Sequence, residues 1–538
     1  MLNWLMRRMK KKSKSSAANA PQGDSKGPVE HHPLSTSLAK NKAEMQKVFD
    51  RCSDVVMREF ELGSKPPVKV MVVYVDGLVS AETLNQDVLK SLMLLINEQW
   101  TGNVVELSET IKTRFLPVAE LSISTQLVEV TKRILAGQAM LLIDGVPQAI
   151  GLNIIGWEQR AIEEPSSEPV VRGPHEGFVE NVKTNLVLIR RRLKTSRFKV
   201  EDMIIGLLSK TEVKIVYVEG IADSKMVKEV KARLSRINTD MIMESGYLEE
   251  YISDTWYSPF PQIQATERPD KVAAGLAEGQ VGVLVDGTPF VLLMPITFFH
   301  LIQASEDYYA RFQLGTFLRL LRIAAINVAL LLPSAYIAIA TFHQEMIPTA
   351  LLLSIAKARE GVPFPAFVEA MLMEIIFEFL REAGVRLPRQ VGQAISIVGA
   401  LVIGQAAVSA GLVSPAMVII VSLTAIASFT IPNYSAGISL RLLRFPIMFM
   451  AAGLGLFGIM AALMAILIHL CSLRSFGIPY VSPLSPFVFQ DWKDFLIRMP
   501  VFTLSKRPKL IGYEEPNRQD YLQVPLPPKK RRRGGKKQ

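Results

Sequence analysis

The pattern of apolar and polar positions changes character near residue 323. Upstream, apolar residues come in short runs among frequent charges; from Ile323 to Leu473 they merge into long ones. Charges are nearly absent from 323–342, 391–411, 415–431 and 446–473. At a rise of about 1.5 Å per residue, each run crosses or nearly crosses about 30 Å of hydrocarbon. An integral membrane protein is expected. Between the first two runs lies PFPAFVEAMLMEIIFEFLREAG (363–384), which sets Glu369, Glu374, Glu378 and Glu382 among Phe, Met, Leu and Ile. Glu374, Glu378 and Glu382 fall on one stripe of a helix. A carboxylate at bilayer depth costs at least about 2.5 kcal/mol and so faces water or a partner. Two readings stay open: a polar passage through the membrane, or an amphipathic helix lying among the headgroups.

The upstream part opens on a Ser-, Ala-, Pro-, Gly- and Lys-rich stretch, expected to be a disordered tether. A helical pattern then runs from about Leu38 to about Leu62, with Val48, Cys52, Val55, Val56 and Phe60 on one face. Beyond it the sequence duplicates. KVMVVYVDGLVS (69–80) is answered by KIVYVEGIADS (214–224), and GQAMLLIDGVP (137–147) by GQVGVLVDGTP (279–289). The acids before the glycines, Asp76 and Asp144, then Glu219 and Asp286, lie 68 and 67 residues apart. Each copy predicts a strand, an acid-Gly turn, helical material and a second strand ending in Asp-Gly-x-Pro. The expected fold is an α+β N-terminal cytoplasmic region made of two duplicated lobes, followed by an α-helical polytopic membrane domain. The expected boundaries are 1–37 tether, 38–160 first lobe, 161–200 helical connector, 201–303 second lobe, 304–475 transmembrane helices and 476–538 C-terminal tail.

Charge alters this picture only after it is located. The net charge of +11 suggests nucleic acid, but Arg7 to Lys14 contribute six basic groups and Lys529 to Lys537 seven, which leaves −2 for the remainder. Basic tails of this kind are drawn to anionic lipid by about 1 kcal/mol per charge; no nucleic-acid partner is expected. The N-terminus lacks the order of a secretory signal, so the lobes are placed in the cytoplasm. Arg311, Arg319 and Arg322 before the first span fit that side. Five crossings are preferred, because they bring the Arg381 to Arg389 and Arg441 to Arg444 loops inside, and they put the C-terminal tail opposite the N-terminus. Pro333 inside the first span requires a neighbour to satisfy the carbonyl it frees.

Chemistry is sparse. GLGLFG (453–458) matches a dinucleotide-binding pattern but lies inside a span, where close helix packing explains it better. Gly399, Gly404 and Gly411 offer small-residue packing faces. The histidines have no metal-ligand spacing, and with two cysteines, Cys52 and Cys471, no disulfide framework is implied. No nucleophile arrangement or phosphate loop is present, so neither an enzyme nor a cofactor is expected. The acid-Gly pairs at Asp76, Asp144, Glu219 and Asp286 are better read as turn chemistry than as ligand sites.

Several long strings carry a family resemblance: RGPHEGFVENVKTNLVLIRRR (172–192), LVDGTPFVLLMP (284–295), EDYYARF (306–312), KAREGVPFPAFVEAMLMEIIFEFLREAGVRLPR (357–389), IVGALVIGQAAVSAGLVSP (397–415) and SLRSFGIPYVSPLSPF (472–487). Over about 38–492 the chain resembles the A subunit of the spore germinant receptors of endospore-forming bacteria. The resemblance implies a protein of the inner spore membrane that acts with a transporter-like B subunit and a lipoprotein C subunit. It implies a homo-oligomer forming a ligand-gated cation channel whose opening starts germination. On that analogy the helix over 348–361, with Lys357 and Arg359, and the acidic helix, with Glu369, Glu374, Glu378 and Glu382, line or gate the conduit. Arg172, His175, Glu176 and Asp286 are candidates for signalling contacts between the lobes and the gate. A membrane scaffold without a conduit, and a sporulation-stage paralogue without nutrient specificity, are the rival expectations.

Overall fold

The structure, a computed structural model, describes residues 32–62, 67–94, 109, 111, 121–156, 164–165, 167–386, 402, 404–511 and 514–519. It divides into two compact units, 1–157 with 194–196, and 158–193 with 197–538. The second lobe and the apolar helices therefore belong to one unit. Most of the expected tether, both basic tail clusters, Gly399 and most of the 391–411 run lie outside the described residues.

In the first unit, α1 (Leu38–Val48) precedes β1 (Val55–Leu62) and β2 (Val68–Val75); β3 (Leu121–Ser124), α2 (Leu127–Leu135), β4 (Ala139–Ile143) and β5 (Ala149–Leu152) follow. The strands form one antiparallel sheet in the order β1-β2-β4-β5-β3. The helix expected over 38–62 stops at Val48. The residues VVMREFEL pair with β2 along their whole length, Val55 with Val75 through Leu62 with Val68, and eight paired residues outweigh a helical spacing of apolar groups. The end of the expected tether is also ordered: Leu34 is buried and its N–H bonds to Thr125 O at 2.9 Å.

The second unit contains α3 (Val182–Arg190), β6 (Phe198–Ile205), β7 (Thr211–Val218), α4 (Ser224–Ser235), α5 (Ser245–Ile252), β8 (Gln264–Thr266), α6 (Pro269–Glu278), β9 (Val281–Val285) and β10 (Val291–Met294). Its sheet runs β6-β7-β9-β10-β8. Leu186, Ile189 and Leu276 from α3 and α6 cover one face. Val230, Leu234 and Leu248 from α4 and α5 cover the other. With both faces buried, β9 is apolar at every position, VGVLV. The run FVLLMPITFFHLIQ (290–303) supplies β10 and the short helix Phe298–Ile302.

Then come α7 (Phe312–Phe342), α8 (Thr349–Arg359), α9 (Ala366–Arg386), α10 (Pro415–Phe429) and α11 (Tyr434–Ser472). By length and composition, α7 and α11 are the two described helices able to cross a membrane. α11 is not one rod. Its backbone leaves the helical region at Gly455 (φ 61°, ψ −140°). Ser439 Oγ donates to Pro259 O, while His469 Nε2 lies 3.0 Å from Ser258 Oγ. Residues thirty apart on a straight helix would be about 45 Å apart, yet these two meet adjacent residues. The chain thus folds back into legs 434–454 and 456–472, about 31 and 25 Å long. A Cβ at Gly455 would stand 3.0 Å from His343 Nε2 and 3.1 Å from Phe342 Cβ, and the φ is one that L side chains rarely adopt. The dinucleotide-like string GLGLFG is therefore the turn of a helical hairpin.

The fold-back corrects the five-crossing expectation. After Ser472 the chain returns to the second lobe: Arg507 Nε donates to Ala277 O at 2.8 Å, and Arg518 pairs with Glu278 at 2.9 Å. The described part of the C-terminal segment packs on the lobe and not opposite it.

Candidate functional site

Three acids of the acidic helix, expected to face water or a partner, meet arginine. Glu369, fully buried, accepts from the Ser414 N–H at 2.8 Å, and its other oxygen pairs with Arg359 at 3.2 Å. Ser414 is the N-cap of α10, so Glu369 ties the last turn of α8, the first turn of α9 and the start of α10 together. One and a half turns on, Glu374 is paired with Arg444 of the first α11 leg. Arg444 Nε also donates to Ala329 O at 2.8 Å. That carbonyl would accept from residue 333 in an unbroken helix, but residue 333 is proline. Arg444 thus satisfies both a buried carboxylate and the carbonyl freed by Pro333, the requirement the sequence posed. The second oxygen of Glu374, Oε1, is buried with no hydrogen-bond partner among the described residues.

Glu378 follows, half exposed, 3.5 Å from Arg441 and 3.9 Å from Arg381. Arg381 also donates to Ser428 Oγ at 2.8 Å and lies 4.7 Å over the Phe429 ring. The i, i+4 spacing of the two acids matches the i, i+3 spacing of Arg441 and Arg444, so two ion pairs stack between α9 and α11. Arg441 and Arg444 are helix residues and not the cytoplasmic loop charges they were expected to be. The expected stripe of three acids separates: Glu374 is buried, Glu378 half exposed and Glu382 exposed. Lys357 is exposed, on a helix α8 that buries none of its side chains.

Of the packing glycines, Gly404 would place a Cβ 3.5 Å from Val418, an ordinary contact with α10. Gly411 has φ +66°, and a Cβ there would come within 3.0 Å of Gly361 O, so it serves a turn at close approach.

The signalling candidates separate as well. His175 Nδ1 is 2.8 Å from Glu164 on an exposed surface, Arg172 is exposed, and Glu176 is bound by Arg192 at 2.7 Å and Arg191 at 3.4 Å. Asp286 accepts from the first helical N–H of α3, Val182, at 3.2 Å. In the other unit, Asp144 accepts from the first helical N–H of α1, Leu38, at 2.8 Å. Each aspartate holds the positive end of the helix preceding its sheet, a capping role.

A second charged cluster stands at the start of α7. Arg319 and Arg322, expected as surface charges, are buried in the first turns of α7. Both meet Asp307, which is itself fully buried, at 3.4 and 3.0 Å. Arg319 also binds Asp494 of the C-terminal segment at 3.1 Å. Burial, and then the charge of Asp494, push the Tyr308 hydroxyl well above its ordinary value, so it stays a donor to Asp494, at 2.8 Å. The i, i+3 spacing of Arg319 and Arg322 was the available signal, but it also fits a basic flank. Among the described residues, no group of three or more His, Cys, Asp or Glu side chains could hold a metal ion.

Residues 43–510 match the family model of the Bacillus/Clostridium GerA spore germination protein. The chain is 46% identical over 494 residues to spore germination protein KA of Bacillus subtilis (strain 168), covering 92% of this chain and 90% of that one. It is also 46% identical over 476 residues to the uncharacterized membrane protein YfkQ of the same organism, covering 88% and 91%. A solved structure, the N-terminal domain of the A subunit of the Bacillus megaterium spore germinant receptor GerK3, is 33% identical. It covers 50% of this chain and 98% of that one, with a TM-score of 0.39.

Proposed function

The chain belongs to the GerA family of spore germination proteins, the A subunits of germinant receptors, and from that premise we propose that copies of it assemble in the inner spore membrane into a ligand-gated cation conduit. It acts with a transporter-like B subunit and a lipoprotein C subunit, and conduction releases ions to start germination. The N-terminal lobes lie in the cytoplasm and relay the signal, and the two basic tails rest on anionic lipid. The like order of the two sheets, and the like capping by Asp144 and Asp286, support descent of both lobes from one repeated unit.

One observation carries the conduit reading: α8 buries none of its side chains within the chain, although Leu351 and Leu353 on it are apolar and Lys357 is charged. A helix of mixed character whose side chains are exposed or at most partly buried by its own chain suits a lining shared with other copies and with water. The test is potassium release from spores carrying Lys357→Gln or Glu378→Gln. A changed rate or potassium-over-sodium preference is expected; unchanged release from both variants sinks the lining role. The scaffold reading keeps one observation in its favour, that Glu369, Glu374 and Glu378 each have an arginine of the same chain as counter-charge.

A further inference from the structure

We propose that the stretch 247–257 of the second lobe is a lipid-interface anchor, whose aromatic rings sit in the headgroup layer around the lobe-side ends of the α11 hairpin. The inference rests on the membrane reading above and adds a surface that this reading does not assign.

Four rings in this stretch point outward. Trp256 is 85% exposed and Tyr257 66%, with Tyr251 and Tyr247 at 58% and 48%. Such exposure of large aromatics on a lobe with a well-filled core asks for an occupant. The stretch is fixed to the helices and not free in solution. Ser258 bonds His469 of the second leg and Pro259 accepts from Ser439 of the first. The Tyr257 ring lies 6.2 Å from His469, and Trp256 stands edge-on to Tyr257 at 5.8 Å. A cleft of the same surface is lined by Trp256 and Phe260 from the lobe and by Ser435 and Ile438 from α11.

The level of these contacts identifies the occupant. Leu467 and Ile468, immediately before His469, are exposed apolar residues, as are Ile438 and Leu442 on the other leg. The apolar surface of the hairpin thus reaches down to the aromatic rings, and lobe begins just past them. Rings with an apolar body and a polar tip concentrate at this boundary. The acids lining the Trp256 cleft are Glu249 and Glu250, and of the two arginines beside Tyr251, Arg233 and Arg236, the first is already paired with Glu229 and Asp254. Partition of the rings, and not attraction to anionic lipid, is therefore the driving force, unlike that assigned to the basic tails.

Depth-dependent quenching tests this. The full chain is placed in phosphatidylcholine vesicles brominated either near the headgroup or deep in the acyl chain. One variant keeps Trp256 alone, with Trp4, Trp100, Trp157 and Trp492 changed to Phe; a second also carries Trp256→Phe and Phe449→Trp. Phe449 lies about 22 Å along the first leg from its lobe-side end and is 61% exposed. The expected result is stronger quenching of Trp256 by shallow than by deep bromine, the reverse for the residue-449 probe, and no change at Trp256 when phosphatidylglycerol is added. Quenching at 449 with none at Trp256, or deeper quenching at Trp256, overturns the anchor alone. No quenching at either site overturns the membrane reading with it. Should the multiply substituted chain not fold, a nitroxide on Tyr251→Cys in a Cys471→Ser chain gives the same decision. A ratio of oxygen to aqueous nickel accessibility higher at residue 251 than at a nitroxide on Ser209→Cys of the same lobe supports the anchor; equal ratios overturn it.

Discussion

At the scale of single residues, the decisive group is Arg444. It neutralises Glu374 and occupies the carbonyl that Pro333 leaves open, both in the interior. Removing one partner of a buried pair strands the other, at about 3–5 kcal/mol. Arg444→Met should therefore lower the unfolding midpoint of the protein in detergent sharply. Adding Glu374→Leu should recover most of the loss, because a well-packed apolar pair replaces the ions at little cost. A single variant as stable as the parent would show that Glu374 finds another counter-charge. His300 supplies a pH dependence. Burial, and then the charge of Lys271, push its imidazole down to about 4 from an ordinary 6.5, and Nδ1 accepts from the Thr297 N–H at 3.0 Å. The folded state holds it neutral, so its contribution is complete above about pH 6.5 and is lost as the pH falls toward 4. Between pH 7 and 5 the melting midpoint of the parent should fall further than that of His300→Gln. Equal slopes would remove His300 from the acid response. That the acids of α9 needed partners was legible in the sequence, since their cost at depth is independent of fold. Which residues answered them was not, because Arg444 lies seventy positions away and an arginine near a span end also fits a basic flank.

At the scale of elements, the hairpin in α11 shows where pattern and structure diverge. An apolar run longer than a bilayer is wide reads as one crossing, and only the positive φ at Gly455 divides it. The glycines were visible, but glycine serves helix packing as well as turns. The free, exposed Cys471 tests the arrangement directly. It should react with a membrane-impermeant maleimide from the same side as a cysteine placed at Ser209 of the second lobe; labelling from opposite sides would restore the straight span. β1 shows a similar ambiguity, since eight residues with both spacings were resolved only by their pairing with β2.

At the scale of the whole chain, the two sheets were foreshadowed by repeated strings, because the turn and strand that each string encodes are local. Strand order was not, since β1 and β6 have no matching strings and β3 and β8 are too short to show one. The return of the C-terminal segment to the second lobe was hidden too, as nothing in a Pro-rich stretch names Ala277 or Glu278 as its destination. The ion pairs between α9 and α11 have a further consequence, in the order of synthesis. Glu374 leaves the ribosome seventy residues ahead of Arg444, so the acidic helix waits without its counter-ion while α10 and the start of α11 are still being made. On the membrane reading proposed above, the insertion machinery must shelter that carboxylate during the interval, and a nascent chain stalled before residue 441 carries the acids with neither arginine of the first leg to receive them.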